Sequence, residues 1–487
     1  MTTPIAATPG VDAPPLALPP RPVVLPPLAQ YALTSGLQVV VASRRNTPVV
    51  TATLMVRAGP EVDPAGRAGA AALTAAVLTK GARLGGRPAG APDIARQAEA
   101  LGATLDTTSA WHASTVSMTV TTPQLPRALA LMVDVLRHPL FADAEIERVR
   151  ALTLDGLRVA LSDPAAVAAM VVRRAAWGDA PWGRSPTPAS LRRLQRADLT
   201  ALHGHHCRPS RTVLVLAGDI SADAGLGLAE RMLADWRDPS VDRGAAPAAA
   251  PASASAAQAA GPAAAPNAAA ADATVLIDMP GAGQSAVAVA APFVGHRHPQ
   301  RRIGQVANAV IGGGYSARVN QEVRIRRGLS YGAFSETQIH PDAGLMLAST
   351  QTSHAHAAEV LRLLRAEILR LAEAAPSPDE LAARQATLVG SFARRLETTG
   401  GLAAIVLSQL AAGRALDELG QTVQEIMSVT PTQVQQFARE HWLPGRLSSV
   451  VAGDLASAGA ALADTAPRAL RVPIGQLDLE SAGLGGR

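Results

Sequence analysis

One cysteine, one lysine and few aromatic rings set the first limits on this 487-residue chain. With Cys207 the only cysteine, no internal disulfide can form and the redox compartment stays open. With Lys80 the only lysine, the formal charge of +5 rests on arginines scattered along the sequence. Phosphate-gripping proteins carry clustered basic stripes interleaved with aromatics; this chain has neither, and no nucleic-acid partner is expected. Aromatics make up only 3% of residues, so the core must be built from Ala, Val and Leu. No apolar run reaches the roughly 18 residues that a membrane span needs. A G-x-S-x-G elbow and a Walker loop are also missing, which removes the commonest serine-hydrolase and P-loop readings.

What is present is length and an apolar majority. At 48% hydrophobic and 17% charged, the chain can bury a large core, and its length suggests two domains of about 200 residues each. Residues 1–27 are rich in Pro and Ala and read as a disordered tail. They lack a basic start followed by an apolar run, so a soluble, cytoplasmic chain is expected, or a periplasmic one if a leader was removed. Between 243 and 273 the sequence is almost pure Ala, Pro, Ser and Gly, too poor in large apolar groups to offset its ordering entropy, and reads as a linker.

The two flanking segments read as copies of one unit. His206, Pro209, Arg211 and Ala217-Gly218-Asp219 recur at constant spacing as His441, Pro444, Arg446 and Ala452-Gly453-Asp454. Within the first segment, 37–42 and 49–56 pattern as strands, 69–78 as a helix, 104–121 as an antiparallel pair, and 125–136 and 144–161 as helices. The second repeats this with strands at 274–278, 286–290, 331–337 and 345–350, and with helices from Arg301 and over 356–371. The expected fold class is α+β: two homologous sheet-plus-helices sandwiches, 28–242 and 274–470, joined by the linker and followed by a tail, 471–487.

Several stretches resemble the M16 (pitrilysin/insulinase) metallopeptidase family in its small two-domain form. They are Gly36-Leu37-Gln38-Val39-Val40-Val41 with Val56-Arg57-Ala58-Gly59, then Gly69 to Gly81, and Gly312 to Arg324 leading into Arg327-Gly328-Leu329-Ser330-Tyr331. In active members the first helix carries H-x-x-E-H, two zinc-binding histidines on one face with a glutamate that activates water. Here the three positions are Ala72, Ala75 and Ala76, and the position of the third ligand, a glutamate on a later helix, is Gly156 with Asp155 beside it. Methyl groups neither ligate metal nor take a proton, so no zinc is expected in this chain.

The resemblance assigns Arg327 and Tyr331 a role facing the zinc site across a closed chamber, where they hold the substrate carbonyl and the oxyanion that forms from it. Read without it, the two are a solvated cation and a core strand residue, with Gly328 permitting a turn. What the resemblance implies is a non-catalytic subunit that helps bind peptide and lends Arg327 and Tyr331 to a zinc-bearing homologue, in a heterodimer or larger assembly. The alternative is an inactive scaffold or peptide-binding protein with no part in hydrolysis. The remaining histidines read as structural: His203-Gly204-His205-His206-Cys207 ends a helix, His354 and His356 start one with Ser353 as cap, and His296 and His298 flank an exposed turn. Gly312-Gly313-Gly314 reads as a helix-ending turn, or as backbone left bare for a peptide.

Overall fold

The computed structural model describes residues 23–238 and 272–485. Its first half runs β1 (Leu28–Ala32), β2 (Gln38–Ser43), β3 (Val49–Val56), α1 (Ala70–Leu78), β4 (Gly81–Leu84), β5 (Arg87–Gly90), α2 (Ala91–Glu99), β6 (Asp106–Ala110) and β7 (Ala113–Thr121). It continues with α3 (Leu125–Arg137), α4 (Asp143–Ser162), α5 (Pro164–Trp177), α6 (Pro188–Arg193), α7 (Arg196–His206), β8 (Thr212–Gly218) and α8 (Ala222–Leu233). The second half runs β9 (Thr274–Asp278), β10 (Ser285–Val294), α9 (Arg301–Gly312), α10 (Arg318–Asn320), β11 (Ala333–Ile339) and β12 (Ala343–Thr352). Then come α11 (Ala357–Glu373), α12 (Pro378–Leu396), α13 (Thr399–Ala411), α14 (Thr422–Met427) and α15 (Pro431–His441). It closes with β13 (Ser448–Gly453), α16 (Leu455–Ala458), α17 (Ala460–Thr465) and β14 (Leu470–Pro473).

Two six-stranded sheets result, ordered β1-β2-β8-β3-β7-β6 and β11-β12-β10-β13-β9-β14. Both are mixed: β2 runs parallel to β8 and β9 parallel to β13, while β3 and β10 pair antiparallel on both sides. The chain is therefore α+β, a sheet-plus-helices sandwich in each half.

A strand with one wet face alternates apolar and polar residues, whereas Val39-Val40-Val41-Ala42 and all of β8 are buried on both faces. One face explains itself: Val39 and Val41 pack among the helices of their own half. The other is covered by a helix from across the molecule. Val40, Ala42, Val213 and Val215 pack against Leu402, Ile405, Val406 and Leu410 of α13. Reciprocally, Val167, Val171 and Trp177 of α5 pack on Val275, Ala288 and Val450 of the second sheet. Each half thus completes the other's core, and caps fix where the exchanged helices start: Asp163 accepts from Ala165 N–H and Thr398 from Gly401 N–H.

The described part of the expected tail, 471–485, contributes to the core. β14 pairs in parallel with β9, with Val472 opposite Ile277, and Val472, Leu479 and Leu484 are buried beside α5. Spaced apolar side chains in a short segment fill the gap between the halves, and this outweighs the segment's high glycine content. Residues 1–22 of the expected N-terminal tail and 243–271 of the expected linker lie outside the described residues; Val23 and Leu25 pack against the α13 cluster. Among the described residues no helix is long and apolar enough to cross a membrane.

Candidate functional site

α1 begins where Asp63 folds back over it. The buried Asp63 carboxylate accepts hydrogen bonds from Gly69 N–H (2.7 Å) and Ala71 N–H (2.8 Å), serving helix donors that lack intrahelical partners. Burial pushes its pKa up to about 6, against the pull of the backbone donors of Ala71, Gly69 and Ala70. Asp63→Ala is expected to cost about 1–3 kcal/mol by orphaning those donors, read as a lower urea midpoint. A midpoint equal to wild type would show that water serves them as well.

α4 packs beside α1, which brings the helix bearing Gly156 alongside the helix bearing Ala72, Ala75 and Ala76. Ala72 is exposed, Ala76 half-buried and Ala75 packed inside at 3% exposure. Gly156 faces open space, flanked on its own helix face by Leu152 and Val159, both more than half exposed. Asp155 is exposed and paired with Arg158 at 2.7 Å. The surface between the two helices thus offers methyl and isopropyl groups where zinc chemistry needs imidazole and carboxylate. Among the described residues no three His, Cys, Asp or Glu side chains gather as a metal-holding group. These residues do not fit a zinc ion.

The second constellation is built on a wide turn. After α10 the backbone passes through a π-helical turn, Gln321–Ile325, closed by Arg326 N–H on the Gln321 carbonyl at 2.9 Å. The buried Glu322 takes both following arginines: Arg326 and Arg327 each bond its carboxylate, and Arg327 also reaches its carbonyl at 3.1 Å. Burial pushes the Glu322 carboxyl up, but the two guanidinium groups outweigh it and hold it below the usual range. Gly328, at φ +65, then turns the chain as its lack of a side chain permits.

Tyr331 is not in a strand, since β11 starts two residues later than the sequence suggests. Its loop is tied to β12, Thr352 donating to the Leu329 carbonyl at 2.6 Å and Thr350 to the Gly332 carbonyl at 2.7 Å. The side chain itself is 91% exposed. Beside it opens a hollow of about 310 Å³ with Leu329, Phe334 and Gln351 in its wall. Arg327 and Tyr331 thus leave one segment tied to β12, both accessible.

The other motifs are structural. His203 Nε2 (2.7 Å) and the Cys207 thiol both meet the Leu136 carbonyl, and burial pushes the thiol up to about 12. His354 is held between Ser285 and the Ala282 carbonyl, while Ser353 makes no cap hydrogen bond and α11 starts at Ala357. Gly312 ends α9, and a Cβ there would stand 2.3 Å from Ser335 N, so its bareness admits β11.

A junction without any sequence signal pins the hairpin tips of the two sheets together. Glu61 meets His112 Nδ1 at 2.5 Å, and His112 Nε2 meets His340 Nδ1 at 3.0 Å across a sequence separation of 228. His340 is stacked on Trp182 at 4.2 Å and flanked by Trp111 and Trp177, which concentrates three of the five tryptophans here. Burial, then the charge of His112 and His296, presses His340 down to about 3; burial first also presses His296 down to about 4.

Both groups bind protons more weakly folded than unfolded. Their neutral forms therefore support the fold fully above about 6.5, and that support is lost as pH falls from there through 4 towards 3. His340→Gln is expected to flatten that part of the stability-versus-pH curve. A slope unchanged by the substitution would assign the acid sensitivity elsewhere.

Comparison with known proteins bears on both constellations. Residues 38–187 match the model of the insulinase family (peptidase family M16), and 193–388 match the peptidase M16 inactive domain. An uncharacterized zinc protease of Streptomyces coelicolor is 26% identical over 416 residues, covering 84% of this chain and 86% of that protein. Subunit 1 of the bovine mitochondrial cytochrome b-c1 complex is 24% identical over 282 residues, 58% of this chain and 54% of its own length. A crystal structure of a peptidase M16 inactive domain from Pseudomonas fluorescens superposes with TM-score 0.76 at 22% identity, covering 88% of this chain and 98% of that one. With both parts of the family matched, with this fold, and with alanines where a zinc motif would stand, the chain belongs to peptidase family M16 and carries its inactive domain.

Proposed function

We propose that this chain is the non-catalytic subunit of a heteromeric M16 zinc peptidase, in which it helps bind peptide and supplies Arg327 and Tyr331 to a zinc-bearing homologue. The observation that carries this reading is the display of Tyr331: a phenol 91% exposed on a loop tied to β12, with no hydrogen-bond partner among the described residues, four residues after the exposed Arg327. A protein that used this tyrosine for packing would bury it. A guanidinium and a phenol both donate to developing negative charge, which is what an oxyanion needs once a partner closes over them.

Two sheet edges offer backbone to an extended peptide. β6 ends the first sheet and lies against α1, and β11 ends the second two residues after Tyr331. Strand addition at either edge recognises main chain and tolerates many sequences.

The test is cleavage of a quenched-fluorescent unstructured peptide by the chain alone, by a zinc-bearing homologue alone, and by both, with and without chelator. Cleavage is expected only from the pair, and chelator is expected to abolish it. Chelator-sensitive cleavage by the single chain would overturn the reading. The similarity to a cytochrome b-c1 subunit favours a second reading, a scaffold, in which the pair assembles but this chain adds nothing to the homologue's rate.

A further inference from the structure

The chain's single lysine, Lys80, stands in the wall of a hollow of about 420 Å³ that neither constellation above uses. That volume lies in the range of small-ligand sites, roughly 300–1,000 Å³. One wall is a face of α2, where Ala91, Ile94, Ala95, Ala98 and Glu99 recur at helical spacing, so that four aliphatic side chains and one carboxylate share it. The rest comes from the end of α1, with Lys80, and from Thr104 and Leu105, which lead into β6.

Lys80 is half-buried, and no carboxylate among the described residues comes within ion-pair distance of it. A cation partly withdrawn from water among alkyl groups gains from an anion brought to it. Two carboxylates limit what that anion can be. Glu99 is in the wall and Asp106, which accepts from the Thr104 hydroxyl at 3.3 Å, is close by; both are exposed, so water screens them, but they disfavour a second negative charge. The hollow therefore suits a single carboxylate attached to an aliphatic body. Its place in the fold says which molecule carries one. β6 is the last strand of its sheet and pairs only with β7, and its open edge begins at Asp106, directly after Leu105. A peptide added antiparallel to that edge runs out at the hollow with its C-terminus leading.

We infer that the hollow captures the C-terminal residue of a peptide lying along β6, its carboxylate on Lys80 and its aliphatic side chain against α2. This rests on the peptide binding proposed above and gives it a class of ligand: chains that end in a free, aliphatic residue, with amidated or acidic ends rejected. Because α1 has alanines at the metal positions Ala72, Ala75 and Ala76, a peptide anchored beside it is held by this chain rather than cut by it.

The experiment uses the full chain alone and an N-acetylated, strand-forming heptapeptide ending in leucine, made as the free acid and as the amide. Isotope-labelled reductive methylation marks Lys80 and the chain's amino terminus and no other amine, and it keeps the charge, so one side-chain signal reports on the hollow. The free acid is expected to move the Lys80 signal and to bind about tenfold more tightly than the amide, the fold-change of one charge-assisted contact. Lys80→Met should bring the two peptides within about twofold of each other, while Lys80→Arg, which keeps a cation, should retain most of the difference. N-acetylleucine has the carboxylate without the strand and is expected to bind at least about tenfold more weakly than the free-acid peptide; equal binding would make the hollow a site for free acids and overturn the assignment to a peptide end. If acid and amide bind alike and the Lys80 signal stays still, the anchor is overturned and peptide binding by this chain stands. If neither peptide binds, peptide binding falls and the anchor falls with it.

Discussion

Arg327→Ala and Tyr331→Phe are each expected to lower peptide cleavage by the assembled pair by about 10²–10³ in kcat, the usual cost of removing one oxyanion donor from a water-poor site. The fall should sit in kcat more than KM, because the charge these groups meet is absent from the bound ground state. The two substitutions differ in what else they disturb. Tyr331 is exposed and makes no hydrogen bond among the described residues, so losing its hydroxyl should leave the melting temperature and assembly unchanged. Arg327 shares the buried Glu322 with Arg326, so Arg327→Ala removes one of two cations from that carboxylate and should also lower the melting temperature slightly. Tyr331→Phe is therefore the cleaner test. A pair carrying it that turns over within about twofold of wild type would remove the oxyanion role.

The parts of this arrangement that the sequence could reveal are local ones. The zinc-helix segment reads as a helix because Gly69 to Leu78 is apolar and free of breakers, and α1 spans Ala70–Leu78. The strand pair at 104–121 announces itself by alternation and forms β6 and β7. The sequence reads as a strand from Tyr331 onward, yet the hydroxyls of Thr350 and Thr352, contributed by the next strand, take the carbonyls of this loop, and pairing starts only at Ala333. Long-range features left weaker traces. The unbroken run Val39 to Ala42 implies that both faces of β2 are covered, but nothing in it names α13 as the cover. His112 and His340 are ordinary single histidines until the two hairpin tips meet. The packing of the C-terminal segment leaves no signal in the sequence, because Val472, Leu479 and Leu484 are too widely spaced to show a period and matter only where the two halves leave a gap for them.

Ending the chain at Ala469 is expected to lower its stability by about 3–5 kcal/mol, the range for breaking a buried charged network, and so to lower its melting temperature by roughly 10 °C. Arg174 on α5 is the reason. Its guanidinium is only 3% exposed and is held by the carbonyls of Gly178, Glu480 (3.0 Å) and Ser481 (3.2 Å) together with Asp179. Truncation removes two of these acceptors and lays open the apolar cluster where α5 meets the second sheet, so a cation and several alkyl groups lose their cover at once. Glu480 also binds Arg193 and Thr187 through its carboxylate, and Glu480→Ala severs those ties while leaving its carbonyl on Arg174. That single substitution should therefore cost about 1 kcal/mol or less, as exposed pairs do. The contrast between the two measurements assigns the effect to the buried arginine and its apolar surroundings. Equal losses would place it in the surface pair, and a truncated chain melting within about two degrees of the full one would show that α5 stays seated without the strap.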